Sequence, residues 1–142
     1  MGNVYSSFSS YTFDTIQHKI MCNYDFVLIN TLPESEQGCL IKNTIPANKE
    51  TEFMNALLNK DKKKEIIVYG RNHRDLKVTE KYNQLKKLGF TNVYIYFGGL
   101  FEWLLLQDIY GHDDFITTTK NKNVDIIKYK PNKLFGIPLI EY

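Results

Sequence analysis

Three short apolar runs punctuate the chain: DFVLIN (25–30), EIIVY (65–69) and NVYIYF (92–97). Each is continuous rather than alternating, the pattern of a strand buried on both faces. Between them apolar positions recur at three- and four-residue intervals. Thr12 is placed to cap a short helix carrying Phe13, Ile16 and Ile20. From Asn48, read as an N-cap, to about Leu58, the residues Phe53, Met54, Leu57 and Leu58 fall at helical spacing. From Asp75 onward Val78, Tyr82, Leu85 and Leu88 repeat until Gly89, the kind of residue that closes a helix in a left-handed conformation. Gly98–Gly99 then turns into LFEWLLLQDIY, another helical stretch. Strand and helix in alternation predict an α/β fold with a central parallel sheet and helices on both faces.

The remaining segments carry weaker patterns. TLPESEQGCLIKNTIP (31–46) is broken by Pro33, Gly38 and Pro46 and reads as a loop with room for one short strand. DKKK (61–64) reads as a solvated turn. In the last thirty or so residues only VDIIKY resembles an element. There Ile126, Ile127, Leu134, Phe135, Ile137 and Leu139 give an extended tail something to bury. The expected organisation is a flexible N-terminus (1–11), one domain (12–110) and a C-terminal extension (111–142). That extension is expected to lie over the domain or to join two copies as a homodimer.

Composition narrows the function classes. A chain of 142 residues, 43% apolar and 24% charged, suits one soluble domain with its own core. Its net charge of +2, with basic residues spread along the chain, argues against a nucleic-acid partner. Two cysteines, Cys22 and Cys39, without a secretory leader before them, point to the reducing cytoplasm. The longest apolar stretches, such as Phe26–Ile29 and Trp103–Leu106, are too short to span a bilayer. Abundant Asn, Lys, Ile and Tyr suit an AT-rich genome, that of a protist or a virus. The opening MGNVYSSFSS fits the N-myristoylation pattern at Gly2 and Ser6, and equally reads as a plain Ser-rich start. No cysteine or Lys/Arg cluster adjoins Gly2 in sequence. One acyl chain alone binds membranes with about 10^4 per molar, so the expected association with a membrane's cytoplasmic face is weak.

One stretch carries the marks of chemistry. In EIIVYGRNHRD (65–75) a buried strand stops at Gly70 and a loop leads into the helix that starts at Asp75. Loops of this kind hold anions or reactive thiolates. Arg71, His73 and Arg74 form a basic rim suited to phosphate, sulfate or a phosphopeptide, yet the loop contains no Cys, Ser or Thr. Asp75 is a good N-cap whose carboxylate would take the helix amides that an anion would otherwise use. His18 and His112 lack partners at metal-ligand spacing and read as surface residues. Neither a metal nor a cofactor is expected.

From about Thr12 to Tyr110 the order of parts resembles a single-domain rhodanese. LKKLGFTNVYIYFGGLFEW (85–103) is similar to the family's closing signature, with Gly89, Val93, Gly98–Gly99 and Trp103 at its spacing. FVLIN stands for the first strand, with Asn30 where an aspartate is usual. GCLIKNTI (38–45) stands for the loop beginning GHI, with Cys39 in place of its histidine. The resemblance implies a three-layer α/β/α fold and, for an active member, a thiolate at the first loop position that carries sulfane sulfur as a persulfide. The family loop reads roughly CRxGxR, and here it reads GRNHRD. Gly70 stands in place of the nucleophile, Arg71 matches, Asn72 fills the variable position and His73 replaces the glycine. Arg74 follows, and Asp75 replaces the second arginine. The resemblance therefore leads to a non-catalytic domain that works through a protein partner. Anion binding at 71–74, or residual sulfur transfer through Cys39, are the alternatives. Trp103 is expected to pack as core beneath the loop.

Overall fold

A computed structural model describes residues 8–120 and 125–132. Five strands and four helices follow one another along it: β1 (Ser10–Tyr11), α1 (Phe13–Met21), β2 (Val27–Asn30), β3 (Thr44–Ile45), α2 (Ala47–Lys60), β4 (Ile66–Tyr69), α3 (Leu76–Leu88), β5 (Val93–Tyr96) and α4 (Gly99–Tyr110). Two single turns of 3-10 helix, Glu34–Glu36 and Ile126–Tyr129, sit in the connections. The sheet runs β1-β5-β4-β2-β3 and all its pairings are parallel.

The continuous apolar runs follow from burial on two sides. In β4, Ile67 and Tyr69 face the layer of α1 and α4, while Ile66 and Val68 face α2 and α3. β2 divides the same way, with Leu28 on the first face and Val27 and Ile29 on the second. Every residue of both strands is buried. A strand at the centre of such a sandwich has no polar face to offer.

Helix boundaries mostly follow local chemistry. The Asp75 side chain accepts from Lys77 N at the start of α3, and Gly89 ends that helix at φ 112°. Thr12 occupies the N-cap of α1, but its hydroxyl bonds Asp14 rather than a backbone amide. The second helix begins earlier than expected. Pro46 is its N-cap and Asn48 lies inside its first turn, and the free amide of Ala47 donates to the Gln37 side chain. Of its apolar positions Met54 and Leu57 are buried, whereas Phe53 is 43% exposed.

The expectation for the N-terminal end needs correction. Residues 8–11, expected within the flexible N-terminus, form the sheet edge. Ile95 N donates to Ser9 O at 2.9 Å, and the Phe8 ring meets Tyr82 edge-on. Tyr11 stacks on Tyr94 with ring centroids 4.1 Å apart, and that aromatic burial holds the short strand. At the other end, residues assigned to an extension beyond 110 contribute to the core. Phe115 packs edge-on against Trp103, whose Nε1 donates to Ile116 O, and Thr117 bridges to Ile41. Trp103 itself is fully buried in the α1/α4 layer. Gly2 and Ser6, and Leu134, Phe135, Ile137 and Leu139, lie outside the described residues.

Candidate functional site

Residues 70–75 leave β4 at the carboxyl end of the sheet, where α/β folds gather their sites. Asp75 organises this loop from within. One carboxylate oxygen, Oδ1, accepts from Lys77 N at 3.0 Å; the other accepts from Arg71 N at 3.1 Å and from the Thr31 hydroxyl at 2.9 Å. The amides at the loop's start and at the helix N-terminus are thus turned onto a carboxylate belonging to the chain. Gly70 is the complement of that arrangement. A Cβ there would overlap Asp75 Oδ2 and lie 2.5 Å from Val78 Cγ2 and 2.7 Å from Thr31 Oγ1.

The loop carbonyls are taken as well. Leu100 N donates to Gly70 O and Phe101 N to Arg71 O, each at 2.9 Å, so the first free amides of α4 point into the loop. This close approach requires Gly99, which sits at φ +69°. A Cβ on it would fall 2.7 Å from Gly70 O and 2.9 Å from Asn72 N.

The expected basic rim is divided. The Arg71 guanidinium pairs with Glu36 through Nη2, which lies 2.6 Å from both carboxylate oxygens, while Nη1 donates to Lys128 O at 2.7 Å. Its carbon also lies 5.4 Å from the centre of the Tyr129 ring. His73 and Arg74 remain exposed, so the three residues do not converge on one point. Asn72 is buried, donating to Tyr129 O at 2.8 Å and accepting from Arg74 N at 2.9 Å. Together Arg71 and Asn72 clasp the turn at residues 126–129 over the loop. A shallow depression of about 490 Å³ beside it is lined by Thr31, Pro33, Arg74, Leu76 and Asn132 among others.

The other candidates lie apart. Cys39 is half-buried against the α1/α4 core, and Cys22 is exposed, with its Sγ 3.7 Å from His18 Nδ1. His18 is exposed and its ring also reaches the Tyr24 hydroxyl. His112 is less exposed than a surface reading implies. Its side chain is 23% accessible, and its buried Nε2 has no partner among the described residues. Asn30, at the family's aspartate position, is buried and exchanges hydrogen bonds with Gln37 while accepting from Leu32 N. Sequence reasoning missed Thr31, Glu36 and Tyr129. Their roles arise from pairings 35 to 57 residues apart, for which no local signal exists.

A family model described as the rhodanese-like domain matches residues 19–106. Solved structures share the architecture. The BH2092 protein from Bacillus halodurans aligns with a TM-score of 0.58 at 22% identity, covering 75% of this chain and 76% of that one. The Alr3790 protein from Anabaena sp. gives 0.56 at 19% identity, covering 71% and 88%. A thiosulfate sulfurtransferase from Pseudomonas aeruginosa gives 0.54 at 18% identity, covering 68% of this chain but 18% of that one. At these identities the likeness is one of fold. No curated protein matches the chain by sequence.

Proposed function

The chain belongs to the rhodanese-like domain family, and from that premise we propose that it is a non-catalytic member serving as a protein-interaction or scaffolding module. Gly2 is its candidate acylation site, bringing it weakly to the cytoplasmic face of a membrane. The observation that carries the loss of catalysis is the position of Asp75 Oδ2 in the space a side chain on residue 70 would need. Persulfide chemistry requires a thiolate there and loop amides free to hold its charge. In this chain the nucleophile is absent and the amides of Arg71 and Lys77 already serve Asp75.

Neither thiol compensates. Cys39 is half-buried in the opposite loop region and Cys22 lies at the carboxyl end of α1. A phosphate-binding use of the rim would have to break the Arg71–Glu36 ion pair before all three basic residues could act together. What the loop presents outward is His73, Arg74 and Leu76, the last 76% exposed, on a backbone fixed by its internal bonds. A rigid, partly apolar surface of this kind suits recognition better than turnover.

The test is transfer of sulfur from thiosulfate to cyanide by the purified protein. We expect no rate above buffer, and no difference for Cys39→Ala. Steady turnover abolished by that substitution would overturn the reading.

A further inference from the structure

No cluster of Lys or Arg adjoins Gly2 in the sequence. The fold gathers one at the end of the domain where the described chain begins. In a parallel sheet whose helices run back against the strands, the amino ends of the strands and the carboxyl ends of the helices share one end of the domain. At that end α2 finishes in Lys60, the turn into β4 carries Lys62, Lys63 and Lys64, and α3 finishes with Lys86 and Lys87 in its last turn. The segments are tied together. Thr91 N donates to Lys62 O at 3.2 Å, and the Asn92 side chain donates to Lys63 O at 3.3 Å. The Lys62 side chain lies over Gly89, with Nζ 3.5 Å from where a Cβ would stand.

Lys64 pairs with Asp25, and Lys86 reaches Thr91 O and the Tyr82 ring. The ammonium groups of Lys60, Lys62, Lys63 and Lys87 have no hydrogen bond or ion pair among the described residues, and all four residues are exposed. Leu88, next to them, is 47% exposed. The chain also enters the fold at this end. Ser10 lies opposite Ile95, so Phe8 stands at the amino end of β5, with its ring 5.1 Å from that of Tyr82. Tyr82 is the residue whose ring lies 5.8 Å from the Lys86 ammonium. Gly2 is therefore within about 20 Å of Phe8, the reach of six extended residues.

We propose that this lysine-bearing end is a docking surface for anionic phospholipid headgroups, acting with the acyl chain on Gly2 as a second membrane signal. The proposal rests in part on the reading of Gly2 as acylated. A single acyl chain holds a protein only marginally, and a polybasic surface is the complement that makes the attachment stable. Each lysine close to an anionic surface strengthens binding by about five-fold. The unpaired ammonium groups, the exposed leucine and the arriving N-terminal arm favour a lipid surface.

The test uses the full-length protein with and without the Gly2 acyl group, sedimented with vesicles of phosphatidylcholine or of equimolar phosphatidylcholine and phosphatidylserine. The unacylated protein is expected to bind only the anionic vesicles, and to be released by salt. Lys62→Gln/Lys63→Gln/Lys87→Gln should weaken that binding by about two orders of magnitude. The same charge change at the opposite end, Lys49→Gln/Lys77→Gln/Lys130→Gln, should leave it within about threefold. Equal losses in both variants, no preference for anionic vesicles, or binding only to an acidic protein would each overturn the proposal. Intact mass of protein from native cells separates the two readings. A mass without an acyl group removes the Gly2 assignment, while the difference between the lysine variants still supports the surface.

Discussion

The carboxylate of Asp75 fills the place where a Cβ on Gly70 would stand, so the two positions cannot both carry their full side chains in this backbone. Gly70→Ala is therefore expected to destabilise the protein by about 1–3 kcal/mol, the usual cost of overpacking. Asp75→Gly made on top of Gly70→Ala should cost less than in the wild type, because it relieves the overlap. A double-mutant cycle in urea measures the coupling, expected at about 1 kcal/mol or more. Independent effects would show that the loop backs away from Asp75 without strain.

The carboxylate of Asp75 also stands where an external anion would be held. Asp75→Ala removes the α3 cap and leaves the amides of Arg71 and Lys77 without their acceptor, at an expected cost of about 1–3 kcal/mol. Sulfate should then raise the melting temperature of Asp75→Ala more than that of the wild type. An equal response in both would mean that those amides are not the anion site.

Arg71 joins the loop to the turn at residues 126–129 through Glu36, Lys128 O and the Tyr129 ring. Lysine cannot reproduce a planar group that holds Glu36 through one nitrogen and Lys128 O through the other while lying near the Tyr129 ring. Arg71→Lys is expected to loosen that turn and to speed protease cleavage between residues 125 and 130, with little change in the sheet. Limited proteolysis with mass mapping checks this, and an unchanged cleavage pattern would refute the clasp.

Burial pushes the phenols of Tyr69 and Tyr96 well above their ordinary range. Tyr11 moves the same way, by burial first and then by its hydrogen bond to Glu65. The unfolded chain loses these protons near pH 10 while the folded chain keeps them. Stability is accordingly full below about pH 10 and falls as pH rises above it, by at most about 1.4 kcal/mol per pH unit for each tyrosine. Melting temperatures followed through this range should drop, and Tyr96→Phe should flatten the slope. A flat profile in the wild type would contradict the assignment.

The sequence makes the centre of this fold readable because β2 and β4 are buried on both faces and have no polar alternation to confuse them. The cap at Asp75 and the turn at Gly89 are equally plain, since each satisfies its own helix end. Edges read poorly. Ser10–Tyr11 looks like polar lead-in, and only Tyr94 and Tyr82, more than seventy residues away, make it a strand. The candidate loop is legible in its residue types but not in its partners. Gly70 and Asp75 announce a loop start without a side chain and an occupied helix end, whereas the bond from Asn72 to Tyr129 O exists only once the chain has folded back.

The two described margins of the sheet, Ser10–Tyr11 and Thr44–Ile45, are each two residues long. A partner that adds its own strand needs a longer row of open amides and carbonyls than either margin supplies. A protein partner of the proposed kind would then be met by side chains at the domain's ends and on its helices, where single substitutions could redirect it. Among the described residues, the same brevity leaves little template on which copies of the five-stranded sheet could stack.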